Sequence, residues 1–399
     1  MTTHLRAEIE SYIPELAGIR HDLHRHPEIG FHEHRTAKLV ADTLRSWGVD
    51  VAESVGKTGV VGTLRGKKPG TRSLGLRADM DALPIHEASG VGFASQNPGT
   101  MHACGHDGHT AMLLGAARYL AADRDFPGTV HFLFQPAEEG LGGAAAMLED
   151  RLFERFPCDA IYGLHNYPGL PVGAFAIREG PFMAAAGLFE VTFQGRGGHA
   201  GAVEHGKYDL TSVAAKYILS LGDVVRNEIP SGEVAVIRTG EIVGHGGPSL
   251  NAMPSSVYVG GTMRCFTPAL QELISRRIQE LAHALAKEAA DATADIRLRW
   301  ITSAVINAKE QTQAAVKAAL SVSPSCVDTQ ANALTVSEDF SALMAVRPGS
   351  FILLGNGTAA DGYPHGLHSP KYAFNDAAIP FGVEYWVRLV LQHFAVHLA

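Results

Sequence analysis

Between Met101 and Thr110 the chain reads Met-His-Ala-Cys-Gly-His-Asp-Gly-His-Thr, which gathers Cys104, Asp107 and the histidines His102, His106 and His109 into eight residues. The apolar stretch 111–122 that follows reads as a helix. The run therefore lies on a loop feeding a helix N-terminus, where unpaired N–H groups and the helix dipole favour anionic ligands. A thiolate and imidazoles at this close spacing are the donors a transition metal takes. A lone cysteine is more simply a small core residue, but three flanking histidines turn the reading toward a metal.

Other polar groups share the loop's placement. Asp79 and Asp81 follow the predicted strand 73–78, Glu138 and Glu139 follow 128–134, and His165 closes 159–165. In open parallel sheets ligands bind beyond the carboxyl ends of the strands, so side chains far apart in sequence can converge there. His368 is a fifth candidate, in a loop after the last apolar strand. Each has a plainer reading. An acidic pair is commonly a solvated turn, an aspartate can cap a turn, a histidine after a strand can be a satisfied core residue, and His-Ser-Pro makes an ordinary turn. The Glu138–Glu139 pair is the informative one, because it follows an apolar strand and a proline, and adjacent buried carboxylates repel unless a cation compensates them. Cys104, His106, Glu139, His165 and His368 would supply five ligands. A closed tetrahedral zinc needs about four, whereas two metals sharing a bridging ligand and a water use five. Cys104 is the natural bridge. Two divalent ions against Cys104, Glu139, Glu138 and a bridging hydroxide leave the site neutral, which a semi-buried cleft tolerates.

The elements that must position these residues follow from length and pattern. A chain of 399 residues suggests two domains, and 46% hydrophobic with 19% charged residues is globular. A formal charge of −8 and no basic stripe exclude nucleic acid as a partner. No apolar run approaches the roughly 18 residues that span a membrane, and the first ten residues lack a signal-peptide pattern. Four cysteines without framework spacing fit a reducing cytoplasm. Helices are expected near 5–26, 33–47 and 142–150, alternating with the strands above and one at 59–65, which makes a mostly parallel α/β sheet with helices on both faces. From 183 the pattern changes to strand 187–194, helix 207–226, strands 233–243 and 254–266, helix 268–290 and strand 293–300. That β-α-β-β-α-β order is ferredoxin-like. The expected organisation is a catalytic, metal-binding domain of residues 1–182 and 299–399 around an inserted α+β lid and dimerisation domain, 183–298. Alternation resumes after it with a helix near 309–320, a strand at 350–355 and a helix from 376.

Taken together, His102-Ala-Cys-Gly-His-Asp-Gly-His109, Arg77-Ala-Asp-Met-Asp-Ala-Leu-Pro84 and Gln135-Pro-Ala-Glu-Glu139 resemble the dinuclear metal-dependent amidohydrolases of the aminoacylase and glutamate-carboxypeptidase superfamily. The match is to the branch of hippurate hydrolases, N-acyl-amino-acid amidohydrolases and plant auxin-conjugate hydrolases. Gly163-Leu-His-Asn166, Gly195-Arg-Gly-Gly-His-Ala200, Asn251-Ala-Met-Pro254, Ser337-Glu-Asp-Phe340 and Leu367-His-Ser-Pro370 extend it over nearly the whole chain. The resemblance implies that Cys104, His106, Glu139, His165 and His368 hold two divalent ions (Zn, Mn, Co or Ni) and that Glu138 is the general base. It implies that His199 stabilises the oxyanion, in its own or a partner subunit's site, and that Asp81 orients a ligand histidine. Asn251 and Arg264 would hold substrate polar groups, with Gly355 bordering the pocket. Related branches carry a His where Asp79 stands, so Asp79 is not counted as a ligand. The stretch 206–210 departs from the Asp-Pro run expected in this branch.

The activity so implied is hydrolysis of the amide of a small N-acyl amino acid, in a cytoplasmic homodimer or larger homo-oligomer formed through the inserted domain. Two rivals stand beside it. Cys104 with His106 or His109 could form a metal-independent thiol hydrolase, or the chain could be a non-catalytic metal- or ligand-binding protein.

Overall fold

The computed structural model describes residues 2–202, 209–244, 246, 249–289 and 291–395. The chain divides into two compact units, one of Met1–Phe182, Ile306–Asn332 and Asp339–Ala399, the other of Met183–Val305 and Ala333–Glu338. Of the departure at 206–210, residues 206–208 lie outside the described residues.

The larger unit begins with helices α1 (Thr2–Arg25) and α2 (His34–Ser46), then strands β1 (Asp50–Val55), β2 (Gly59–Arg65) and β3 (Lys68–Asp79). Helix α3 (His106–Asp123), β4 (Pro127–Gln135) and β5 (Ala160–Tyr167) follow. Its eight-stranded sheet runs β1, β2, β4, β3, β5, then Gly349–Gly355, Phe175–Ala176 and Val327–Asp328. The four central strands, β4, β3, β5 and Gly349–Gly355, are mutually parallel, and β1 and β2 add antiparallel pairings at one edge. The period of two along the strands explains the burial of both faces. Leu74, Leu76, Ala78, Val130, Phe132, Phe134, Tyr162 and Leu164 share one core with α1, α2, α3 and the helix Ile379–His393. The alternate residues Leu133, Ile161 and Leu353 are equally buried but belong outside that core, so helices cover the second face as well.

The smaller unit is a four-stranded antiparallel sheet in the order Ala235–Gly244, Ser256–Cys265, Ala185–Gln194, Thr293–Thr302. The helices Leu210–Asn227 and Pro268–Glu288 pack on it, and Phe189, Val191, Phe193, Tyr217, Val259 and Ile274 form a second core. The chain order second, third, first, fourth is the ferredoxin-like arrangement. Asp209 and Thr267 cap these two helices through their side chains, each accepting from N–H groups of the first turn.

Candidate metal centre

Several polar groups at this centre stand at a strand end or a helix start, and the others lie in the loops that follow. Asp79 ends β3, Gln135 ends β4, His165 lies near the end of β5, and His106 opens α3. The turn into α3 needs glycine: Gly105 has φ +91°, and a Cβ there would lie 2.5 Å from Asn166 Oδ1 and 2.6 Å from Tyr372 Oη. His106 and His109, three residues apart, therefore face the same side, while Asp107 points elsewhere.

The structure brings the sequence-derived candidates of this unit together. Donor atoms of Cys104, Glu139 and His368 lie within 4.8 Å of one another, as do those of His106, Glu138 and Glu139, and those of Asp79, His106, His109 and His165. Cys104 Sγ is 3.4 Å from His165 Nε2, which joins these groups into one cluster. His165 Nδ1 faces the Asn166 carbonyl at 2.7 Å, so Nε2 is the nitrogen turned inward. Asp81 does the same for His106: its carbonyl and its Oδ1 lie 2.9 and 3.2 Å from Nδ1. Asp81 Oδ2 also accepts the Glu139 N–H at 2.9 Å, tying one candidate ligand to another. His368 takes a left-handed φ of +63°, with its N–H donated to the Ala103 carbonyl at 2.8 Å and Nε2 3.2 Å from Glu139 Oε1. Glu138 and Glu139 are half-buried, while Cys104, His106 and His165 are buried.

The electrostatics call for a cation. Burial, then Glu139 and Glu138, push the Cys104 thiol well above its ordinary value. An activated nucleophile requires the opposite, so this shift lends the thiol-hydrolase reading no support. Burial pulls His106 down, but Asp79 and Asp81 outweigh it and raise it to about 10. His106 Nε2 is buried without a hydrogen-bond partner, as a nitrogen kept for a metal would be. A thiol, carboxylates and inward-facing imidazole nitrogens are a donor set that fits divalent transition ions.

Other candidates lie elsewhere. His199 and Asn251 are exposed in the smaller unit, on a ribbon pairing Gly198–His199 with Ala252–Met253, and His199 Nε2 is 3.5 Å from Asn251 Nδ2. Arg264 is half-buried on Ser256–Cys265, donating to the Met263 carbonyl at 2.9 Å and to Thr262 Oγ1. Gly355 ends its strand where a Cβ would lie 1.8 Å from the Pro171 carbonyl oxygen, so only glycine fits.

Sequence reasoning did not link Arg77, Asp79, His109 and Asn166 into the buried chain the structure shows. Arg77 Nη1 donates to Asp79 Oδ2 at 2.7 Å, Asp79 Oδ1 meets His109 Nδ1 at 2.5 Å, and His109 Nε2 meets Asn166 Oδ1 at 2.6 Å. The three-residue spacing of His106 and His109 was the available signal.

A largely parallel sheet with a Cys/His/carboxylate cluster at its strand ends, in a chain that also carries a ferredoxin-like unit, defines a metal-dependent amidohydrolase. The model of Peptidase family M20/M25/M40 matches residues 75–392, and the chain belongs to that family. It is 36% identical to the hippurate hydrolase of Campylobacter jejuni, covering 95% of this chain and 96% of that one. It is 33% identical to an N-acetylcysteine deacetylase of Bacillus subtilis, covering 96% and 97%. A crystal structure of a Bacillus subtilis dinuclear metal-binding peptidase of the M20 family superposes with a TM-score of 0.83 at 30% identity, covering 97% of this chain and all of that one. The non-catalytic reading falls with these relatives. Among the described residues no helix is long and apolar enough to cross a membrane.

Proposed function

We propose that the enzyme hydrolyses the amide bond of N-acyl amino acids, releasing a carboxylic acid and a free amino acid. The observation that carries this is the convergence of Cys104, His106, Glu139, His165 and His368 on one cluster with Glu138 among them. These five residues would hold two divalent ions, drawn from zinc, manganese, cobalt or nickel. When bound, such ions lower the pKa of water toward neutrality and polarise a carbonyl.

The chain's own residues do the rest. Glu138 accepts a proton from the attacking water and returns it to the amide nitrogen as the C–N bond breaks. Asp81 fixes the ring of His106 and the backbone of Glu139. His199 donates to the oxyanion, an interaction typically worth about 3–4 kcal/mol in the transition state. Arg264, a bidentate donor, and Asn251 suit the carboxylate and amide of the amino-acid half. The relatives named above act on hippurate and N-acetylcysteine, both N-acyl amino acids, which supports this class. The inserted unit is the proposed lid and dimer contact. The deciding experiment runs benzoyl-glycine, N-acetyl amino acids and indole-acetyl conjugates against protein reconstituted separately with each metal. Turnover of at least one N-acyl amino acid is expected. Its absence across the panel, with activity on free peptides instead, would move the substrate class.

A further inference from the structure

The backbone that carries Glu138 is strained. Ala137, directly before it, is fully buried with φ +52°, a left-handed conformation that a residue with a Cβ adopts only when its surroundings impose it. The imposing contacts are visible. The Ala137 N–H donates to Glu33 Oε1 at 2.8 Å, and its carbonyl accepts from the Gly143 N–H at 3.0 Å. Its Cβ sits against Gly30, where an added Cβ would come within 2.9 Å. The second oxygen of Glu33 accepts from Thr58 Oγ1 at 2.6 Å.

Glu33 is an odd residue to find there. It occupies the N-cap of α2 yet makes no side-chain hydrogen bond to that helix, and it is completely buried. Both of these bonds are to neutral donors. Burying a carboxylate in this way is costly, and burial raises its pKa despite the hydrogen bonds. An apolar side chain would serve packing alone better. What the carboxylate does that an apolar group cannot is grip the Ala137 N–H, one residue from Glu138 and 104 residues away along the chain.

We propose that Glu33 is a positioning residue for catalysis: by holding Ala137 in its left-handed conformation, it aims the Glu138 carboxylate at the water it deprotonates. The role rests on Glu138 being the general base. Rotation about the Ala137 backbone swings the Glu138 side chain bodily, and a misplacement of about 1 Å can cost on the order of 100-fold in rate. Glycine reaches the same φ without strain, so the need for Glu33 should weaken when residue 137 is glycine.

The test uses the metal-loaded full chain and measures kcat, KM and bound metal per chain. Glu33→Ala should lower kcat roughly 10- to 100-fold with KM and metal content unchanged. Glu33→Gln should recover most of it, because its amide oxygen can still accept from Ala137 while its NH2 group faces Thr58. Ala137→Gly placed in the Glu33→Ala background should recover part of it. If Glu33→Ala does not fold, Glu33→Asp, which withdraws the oxygen from Ala137, carries the same expectation. Wild-type kcat in the Ala variant, or in the Asp variant if that one stands in, overturns the proposal. So does a Gln variant as slow as the variant it should improve on, or a double variant that recovers nothing. Turnover surviving in Glu138→Gln would remove the base itself. An inactive Glu138→Gln beside a fully active Glu33→Ala would remove only the role given to Glu33.

Discussion

The first turn of α3 looks onto two polar interiors that solve the same problem differently. On one side Asp107 Oδ2 accepts from Arg20 Nη1 and faces His24 Nδ1, each at 2.9 Å, and all three residues are buried. Arg20 Nε continues to Asp376 at 2.5 Å, and His24 Nε2 lies 3.1 Å from Glu87. Burial pulls His24 down, but Asp107 and Glu87 overcome it and raise it to about 9, while Asp107 is held well below the ordinary carboxylate range against its own burial by His24 and Arg20. That interior brings its own cations. On the other side the arginine present, Arg77, is spent on Asp79 and Asp339. Cys104, Glu138 and Glu139 then face imidazoles whose nitrogens are turned inward. A network that carries its own cations fixes the helix, whereas a cluster of thiol, carboxylates and inward-turned imidazoles invites a cation from outside.

The contrast can be broken in four places, taken from the largest effect down. Glu138→Gln should lower kcat by roughly 10²–10⁴-fold, the range for general acid–base groups, while bound metal measured by elemental analysis stays at the wild-type level. Equal loss of metal and turnover would mean that Glu138 is a ligand. Arg20→Met strips this network of its permanent cation and leaves Asp107 buried with His24 as its hydrogen-bonded partner. Urea unfolding of that variant should show a loss of about 3–5 kcal/mol, the cost of removing one partner from a buried ion pair. A loss within experimental scatter would show that Arg20 is not what compensates Asp107.

Metal removal probes the other side. Saturating the protein at about 100 times Kd should stabilise it by about 2.7 kcal/mol over the chelated form, seen as a higher Tm. Identical melting with and without metal would deny the cluster its cation. The smallest effect comes from His131, a buried histidine whose ring meets Thr63 Oγ1 at 3.0 Å rather than a carboxylate. Burial, helped by Arg65, lowers it to about 4, the reverse of His24. Its folded pKa lies below the unfolded one, so the unfolded chain takes up a proton that the folded chain refuses. Stability is therefore full near pH 7 and falls as pH drops through 6.5 toward 4. Linkage puts the loss near pH 5 at about 1–2 kcal/mol. His131→Gln should flatten that part of the pH–stability curve, and an unchanged slope would assign it to other groups.

What the sequence disclosed follows the range of the interactions. Cys104 and His106 are two residues apart on one loop, and Glu138, Glu139 and His165 follow apolar strands, so local pattern and sheet topology sufficed to bring them together. Arg20 and Asp107 are 87 residues apart, and Glu33 and Ala137 are 104 apart. Nothing in their neighbourhoods marks these pairs. Glu33 in particular reads as an ordinary helix-start acid. Strand β1 was missed for a different reason: Asp50-Val-Ala-Glu-Ser-Val55 is an edge strand with an uneven burial pattern and no clean alternation. The antiparallel edge it forms with β2 was likewise hidden by the parallel rhythm of the centre.

Anomalous diffraction at the absorption edge of a reconstituted metal tests the central claim most directly. The account predicts two peaks per chain, both within the cluster formed by Cys104, His106, Glu139, His165 and His368. No peak in that cluster, or ions bound only among other side chains, would contradict it.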